Sequence, residues 1–417
     1  MKYGCIAEKL SHSFSKEIHG QLFDYEYELK ELRPDEVDEF LTKKDFFAIN
    51  VTIPYKQTVI PYLDEIDETS KMIGAVNTIV NKGGKLFGYN TDFLGMKALI
   101  DRAGIKLAGK KVLIAGSGGT SKTAKAVAKS MGAGEIITLS RTEKQGLVTY
   151  EDAKKYHSDA EIFINTTPCG MYPNIYNSVI DIADFPKLSG VVDAVYNPLC
   201  SKLVCDAREK GINAVGGLYM LVAQAAFAAE KFIDTAVPVG KIEAVYKRIL
   251  KSKQNIVLVG MPGSGKTTVG KILAEKLGMT FCDSDSEIVS REQREITEIF
   301  ASDGEAYFRD MESSVIKEIS ARQNLVIATG GGAVLRRENI EMLRENGKIY
   351  FLDRPLADLV ATDDRPLSST TAALEQRYNE RYGIYLAASD AHIKDPKTAD
   401  QAAKKIIEDF LDENTCN

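Results

Sequence analysis

Residues 260–267 of this 417-residue chain read Gly-Met-Pro-Gly-Ser-Gly-Lys-Thr, a pattern whose successive backbone N–H groups can curl around a phosphate. Lys266 is spaced to reach the β- and γ-phosphates and the Thr267 hydroxyl to ligate Mg²⁺, while Gly263, Ser264, Gly265 and Thr268 complete an ATP cradle. Phosphoryl transfer is the chemistry that such a loop serves, but the loop does not name the acceptor. Residues downstream suggest one. Asp283 and Asp285 alternate at what reads as a strand end, one available to a metal shell and one to a substrate hydroxyl. Arg309 follows the aromatic pair Tyr307-Phe308, and backbone at Gly330-Gly331-Gly332 can approach a ligand closely. Arg365 and Arg381 add two planar cations suited to carboxylate or phosphate. Each feature alone would more often be a solvated turn or a surface charge.

A second glycine loop, Gly116-Ser117-Gly118-Gly119-Thr120, suggests a dinucleotide site, with Ser121 where the third glycine of the usual fingerprint would stand. About twenty residues on, an NAD-selecting fold places an acid against the ribose. Here that strand ends in Ser140-Arg141-Thr142, a cation and two hydroxyls that favour the 2′-phosphate of NADP, and Glu143 is the neighbouring opposing charge.

Both loops need a buried strand before them and a helix after them. Lys111–Ala115 and Asn255–Val259 are short apolar runs, followed by helical patterns to about Met131 and Leu277. Strand-like runs at 48–53 and 78–80 make a third alternating unit upstream. The fold class expected is α/β throughout. The length agrees with two or three domains, and 44% hydrophobic with 27% charged residues excludes disordered and fibrous chains. A net charge of -6 removes the general electrostatic case for nucleic acid. No 18-residue uncharged stretch and no signal-peptide pattern occur, so no membrane partner is expected and a cytoplasmic location is. Six scattered cysteines without a Cys-x-x-Cys pair read as reduced thiols, not as a disulfide or zinc framework.

From about residue 252 onward the chain resembles shikimate kinase. The Asp-x-Asp segment, Gly304-Glu-Ala-Tyr-Phe-Arg309, the triple glycine, Arg365-Pro366-Leu367 and Arg381-x-x-x-Tyr385 follow the phosphate loop in that family's order. The resemblance implies that Asp285 polarises the attacking 3-hydroxyl and that Asp283 positions Mg²⁺. It also implies that Arg309 and Arg381, with Gly331 and Gly332, hold shikimate, and that Arg365 closes over ATP. Gly383 replaces the family's usual proline, and Arg377, one turn earlier, stays open as an alternative to Arg381.

Residues 1 to about 235 resemble shikimate dehydrogenase. The resemblance rests on Leu10-Ser-His-Ser13-Phe-Ser15, Asn50-Val-Thr52-Ile-Pro-Tyr-Lys56, Asn77-Thr78, Asn90-Thr-Asp92, Asn165-Thr-Thr-Pro168, Asp193-Ala-Val-Tyr196-Asn-Pro198 and Gly217 through Ala226. It implies a Lys56–Asp92 pair that protonates the oxyanion formed as hydride reaches a ketone. By the same resemblance Ser13, Ser15, Thr52, Asn77, Tyr196 and Gln224 bind substrate and Gly217 lies on the cofactor side, whereas His12 and His19 are structural. Lys16, Gly20 and Lys202 depart from the family's usual residues. The implied architecture is a substrate lobe at 1–104 completed by 218–235, a Rossmann-like NADP lobe at 105–217, a linker at 236–252 and a P-loop kinase domain at 253–417.

The expected enzyme is bifunctional: it makes shikimate with NADPH, then phosphorylates it with MgATP. An NAD-preferring quinate/shikimate dehydrogenase fused to a small-molecule kinase, or a nucleotide-binding regulator without turnover, are the alternatives. Lys56, Asp92, Lys266 and Asp285 speak for turnover.

Overall fold

The computed structural model describes residues 1–10, 14–359 and 371–411. Three sheets organise the chain, and its two compact units divide mainly between Ile249 and Leu250.

In the N-terminal unit, the first sheet contains β1 (Tyr3–Ala7), β2 (Tyr27–Glu31), β3 (Ala48–Val51), β4 (Glu65–Ile66), β5 (Thr78–Lys82) and β6 (Lys85–Tyr89), in the order β2-β1-β3-β5-β6-β4. It is mixed. β1 runs parallel to β2 and β3, whereas β5 is antiparallel to both β3 and β6. The second sheet is wholly parallel: β7 (Lys111–Ala115), β8 (Glu135–Ser140), β9 (Val148–Thr149), β10 (Ile162–Asn165), β11 (Gly190–Asp193) and β12 (Asn213–Val215), in the order β12-β11-β10-β7-β8-β9. Val112, Leu113 and Ile114 are shielded on both faces, which is why β7 reads as an unbroken apolar run and not as an alternating one. The glycine loop and the Ser140 strand end thus emerge side by side at the carboxyl edge of β7 and β8, where doubly wound sheets bind ligands.

The segment 236–252, expected to be a linker on the surface, is mostly a helix, Val239–Lys253. It buries Ile242, Val245 and Ile249, a spacing that marks one helical face. Arg102 anchors this helix. Its guanidinium donates to both Glu243 oxygens at 3.0 and 2.9 Å, and lies 4.9 and 4.7 Å from the rings of Tyr219 and Tyr246.

The C-terminal unit holds one parallel sheet of β13 (Asn255–Val259), β14 (Thr280–Asp283), β15 (Leu325–Ala328), β16 (Gly347–Asp353) and β17 (Ala391–Lys394), ordered β14-β15-β13-β16-β17. The phosphate-loop strand β13 is central and every residue in it is buried. Its neighbours β15 and β16 deliver the triple glycine and Asp353 to the same edge. Among the described residues no helix is long and apolar enough to cross a membrane.

Candidate active sites

Lys56 and Asp92 are 36 residues apart, and two local devices bring them together. The loop after β3 is fixed by Tyr55, whose buried ring sends its hydroxyl to the Leu32 carbonyl, and by the Lys56 carbonyl, which accepts the Val76 N–H at 2.8 Å. Asp92 stands in the first turn of the helix Thr91–Arg102, where Asn90 caps the start by accepting the Phe93 N–H. Asn77 is buried and secures the same turn: its Oδ1 accepts the Thr91 N–H at 2.7 Å and its Nδ2 donates to the Thr91 hydroxyl at 3.1 Å. Lys56 Nζ then meets Asp92 Oδ2 at 2.6 Å, with the two side chains 21% and 14% exposed. The ammonium is therefore held by a carboxylate yet open to a ligand, which is the arrangement a proton donor requires.

Gln224 is brought to the Asp92 helix by close packing at Gly95. A β-carbon there would lie 2.7 Å from the Met220 carbonyl oxygen and 2.8 Å from the β-carbon of Gln224. Thr52 and Ser15 are half-buried at the end of β3 and the start of the helix Ser15–Leu22. Tyr196 is half-buried with its ring 5.5 Å from that of Phe14, the neighbour of Ser15. Ser13 lies outside the described residues. His19 is fully buried, stacks on Tyr27 at 4.0 Å and shares a 2.6 Å hydrogen bond with the Tyr25 hydroxyl. Burial pushes its imidazole down to about 3, so it is a neutral core group, as expected.

In the lobe built on the second sheet Gly116 has φ 110°, and Gly118 caps the helix Gly119–Ser130 without a side-chain bond. Among the described residues, nothing beyond the adjoining chain lies within 4 Å of where β-carbons at Gly118 and Gly119 would sit, so that helix start faces open space beside Thr120. Ser140 is buried and its hydroxyl oxygen accepts the Thr142 N–H at 3.4 Å, while Arg141 is exposed and makes no ion pair among the described residues. Gly217 is buried and stands at the N-cap of the Gln224 helix.

The C-terminal site is a cavity of about 950 Å³ lined by Pro262, Gly263, Gly265 through Thr268, Asp283, Asp285, Arg309, Glu312, the three glycines and Arg381. Lys266 is buried and donates to the Gly260 and Met261 carbonyls at 2.8 and 3.0 Å. The Thr267 hydroxyl donates to Asp283 Oδ2 at 2.8 Å. One sequence expectation is corrected: the two aspartates do not alternate along a strand. β14 ends at Asp283, whose Oδ1 accepts the Asp285 and Ser286 N–H groups and starts the helix Ser284–Glu292. Asp285 sits in the first helical turn, and both carboxylates still line the cavity. Of the two alternatives for the late arginine, Arg381 lines it; its guanidinium donates to the Gly331 carbonyl at 3.2 Å, and the Tyr385 hydroxyl donates to the same oxygen. Arg377 is half-buried one turn away. Arg365 lies outside the described residues.

Residues 5–79 match the family model for the shikimate dehydrogenase substrate binding domain, and residues 262–411 match that for shikimate kinase. A shikimate dehydrogenase (NADP(+)) of Clostridium perfringens is 36% identical over 264 residues, which span 59% of this chain and 97% of that protein. The chain belongs to the shikimate dehydrogenase family. A second relative of the same description, from Halothermothrix orenii, is 40% identical across 54% of the chain and 88% of its own length. Among solved structures, a chorismate mutase/shikimate 5-dehydrogenase fusion protein from Clostridium acetobutylicum superposes with TM-score 0.57 at 32% identity, covering 59% of this chain and 96% of that one. Shikimate 5-dehydrogenase from Thermus thermophilus, solved with NADP(H) and shikimate, gives 0.54 at 26% identity, covering 60% and 99%. With its shikimate kinase domain, this family member is a bifunctional enzyme of the shikimate pathway.

Within the shikimate kinase domain, the triple glycine is crowded by protein side chains. A β-carbon at Gly330 would lie 2.6 Å from Asp285 Oδ1 and 2.7 Å from Glu312 Oε1; one at Gly332 would collide with the Arg309 guanidinium nitrogens. Glu312 is a residue that sequence reasoning missed. Its side chain is wholly buried, with Oε2 2.7 Å from Arg309, and burial, with Asp285 nearby, pushes its carboxyl up against the opposing pull of Arg309. The signal was available: Arg309 and Glu312 are i and i+3 on the helix Gly304–Ala321 and share a face. Gly332→Ala should displace the far end of the flexible Arg309 side chain while leaving the fold intact. If Arg309 holds the substrate carboxylate, as the resemblance implies, losing that charge-assisted contact corresponds to about 1.5–3 kcal/mol, so KM for shikimate should rise about 10- to 100-fold with KM for ATP unchanged. Steady-state kinetics with each substrate varied check this, and an unchanged KM for shikimate would remove Arg309 from substrate binding.

Proposed function

We propose that the N-terminal unit reduces 3-dehydroshikimate to shikimate with NADPH and that the C-terminal unit phosphorylates the 3-hydroxyl of that product with MgATP. The observation that carries the first half is the 2.6 Å contact between Lys56 Nζ and Asp92 Oδ2. NADPH supplies a hydride to the ketone carbon. Charge grows on the carbonyl oxygen as that carbon becomes tetrahedral, and the Lys56 ammonium gives it a proton, leaving a secondary alcohol and a neutral amine. Asp92 fixes the ammonium in place and balances its charge beforehand. Ser13, Ser15, Thr52, Asn77, Tyr196 and Gln224 surround the substrate, with Asn77 also holding the Asp92 turn. Open space at Gly118 and Gly119 supports a pyrophosphate seat, Gly217 is assigned to the cofactor side, and the exposed Arg141, which makes no ion pair among the described residues, supports selection of the 2′-phosphate.

In the kinase unit, Asp285 takes the hydrogen bond of the 3-hydroxyl and orients its oxygen toward the phosphate loop. Arg309 and Arg381 hold the substrate carboxylate, with backbone at Gly331 and Gly332 behind it. Lys266 leaves its loop carbonyls for the transferring phosphate and offsets charge there. The donor set around Thr267 and Asp283 is hard oxygen, one hydroxyl and one carboxylate, which suits Mg²⁺ sharing its shell with phosphates and water. Thr267 and Asp283 would hold that ion, and the chemistry it would supply there is neutralisation of phosphate charge. Five cysteines among the described residues form no disulfide, which supports residence in a reducing compartment, the cytoplasm.

Initial rates of NADPH and NADH oxidation with 3-dehydroshikimate test the dehydrogenase half. NADPH should be preferred by at least about tenfold in kcat/KM, the equivalent of about 1.4 kcal/mol from the Arg141 contact. Equal rates with NADH, or none with either, would overturn the assignment.

A further inference from the structure

The chemistry given to Lys56, Asp92 and the glycine loop leaves one buried acid of the N-terminal unit unused. Asp193 ends β11 with its side chain out of solvent. Its Oδ1 accepts the Asn165 Nδ2–H and the Val195 N–H, each at 2.9 Å, and its Oδ2 accepts the Ser201 hydroxyl at 2.6 Å. Burial pushes this carboxyl up to about 6 against those three donors. Asn165 is its register partner at the end of the adjacent strand β10, and the Asn165 Oδ1 accepts both the N–H and the O–H of Thr167, at 2.9 and 2.8 Å. The Asp193–Asn165 pair therefore ties together the loops that leave two neighbouring parallel strands.

Those loops serve different parts of the site. The loop after β10 carries Thr166, whose hydroxyl would lie 2.7 Å from a β-carbon at Gly116, the first residue of the glycine loop. The loop after β11 carries Tyr196, packed on Phe14 of the substrate lobe. It also carries Val195, whose carbonyl accepts the Gly217 N–H at 2.8 Å just ahead of the Gln224 helix. One side chain thus sets the spacing between the glycine-loop side and the substrate side.

We propose that Asp193 is a positioning residue of the dehydrogenase reaction: it holds the Thr166 and Tyr196 loops in the relation that brings the hydride donor onto the carbonyl carbon. This rests on the reading that the unit reduces a ketone with NADPH. A surface further from the chemistry would tolerate its loss, but hydride transfer is sensitive to displacements of about 1 Å, which cost on the order of 10²-fold.

Asp193→Asn in the full-length chain tests it, because the amide keeps the shape and loses one acceptor. The expected result is a 10- to 100-fold fall in kcat for NADPH oxidation, on the order set by such displacements. KM for 3-dehydroshikimate and the Kd of NADPH from fluorescence should stay within about threefold, and the deuterium isotope effect on kcat with NADPH labelled at the transferred position should rise. A purely structural role would not move the isotope effect. Ser201→Ala, which removes one donor at the edge of the cluster, should give a smaller fall with the same rise, and it decides the matter should Asp193→Asn fail to fold. Unchanged kcat and isotope effect in a variant that binds NADPH normally would overturn the role of Asp193, as would a loss explained wholly by weaker NADPH binding. A wild-type chain with no NADPH-dependent turnover would instead overturn the functional reading beneath it.

Discussion

Lys56→Ala should lower kcat for NADPH-dependent reduction of 3-dehydroshikimate by about 10²–10⁴-fold, the range that a positioned proton donor supplies. The substitution removes the ammonium that contacts Asp92 Oδ2 and leaves the half-buried carboxylate where negative charge must develop. Opposition by Asp92 adds to the loss of the proton. Because the two residues act as a unit, the Lys56→Ala/Asp92→Ala double variant should be no slower than the worse single variant. The phosphate loop and its cavity belong to the other compact unit, so ATP-dependent phosphorylation of shikimate by Lys56→Ala should stay within about twofold of wild type. Parallel assays of NADPH oxidation and ADP release check both statements.

Lys266→Ala should have the opposite effect. The side chain is buried and bonded to two loop carbonyls, so its loss removes both a cation at the transferring phosphate and an internal brace of the loop. Removal of a single preorganised charge-stabilising donor lowers kcat by about 10²–10³-fold, and the loosened loop adds a rise in KM for ATP. NADPH oxidation should be untouched. A Lys266→Arg variant would not be conservative, since the guanidinium donates in a planar, fixed fork where lysine is a compact point charge.

How much of this was legible depended on whether the chemistry was local. The phosphate loop was readable because eight consecutive residues carry the whole device. Lys56 and Asp92 were readable only through family resemblance, since nothing in a lone lysine or an Asn-Thr-Asp cap shows that β3 and the Thr91–Arg102 helix converge. The Asp283–Asp285 pair was placed on a strand because alternation and a helix N-cap begin with the same residues; the cap won by satisfying two backbone N–H groups. The Val239–Lys253 helix was read as a surface connection because its lysines dominate, although Ile242, Val245 and Ile249 already marked a buried face. Asp193 and Asn165 stand in motifs of the resemblance that imply no role for them. Their pairing follows from β10 lying beside β11, and strand order is set by the packing of the whole lobe, which no local spacing records.

Whether one chain holds two independent sites that act in succession on one molecule is tested most directly by mixing equal amounts of purified Lys56→Ala and Lys266→Ala variants. The mixture receives 3-dehydroshikimate, NADPH and MgATP, and products are identified by mass. Each variant alone should stall, the mixture should form shikimate 3-phosphate, and one ADP should appear per NADPH oxidised. A mixture that forms none, or either variant lacking both activities, would contradict independent sites.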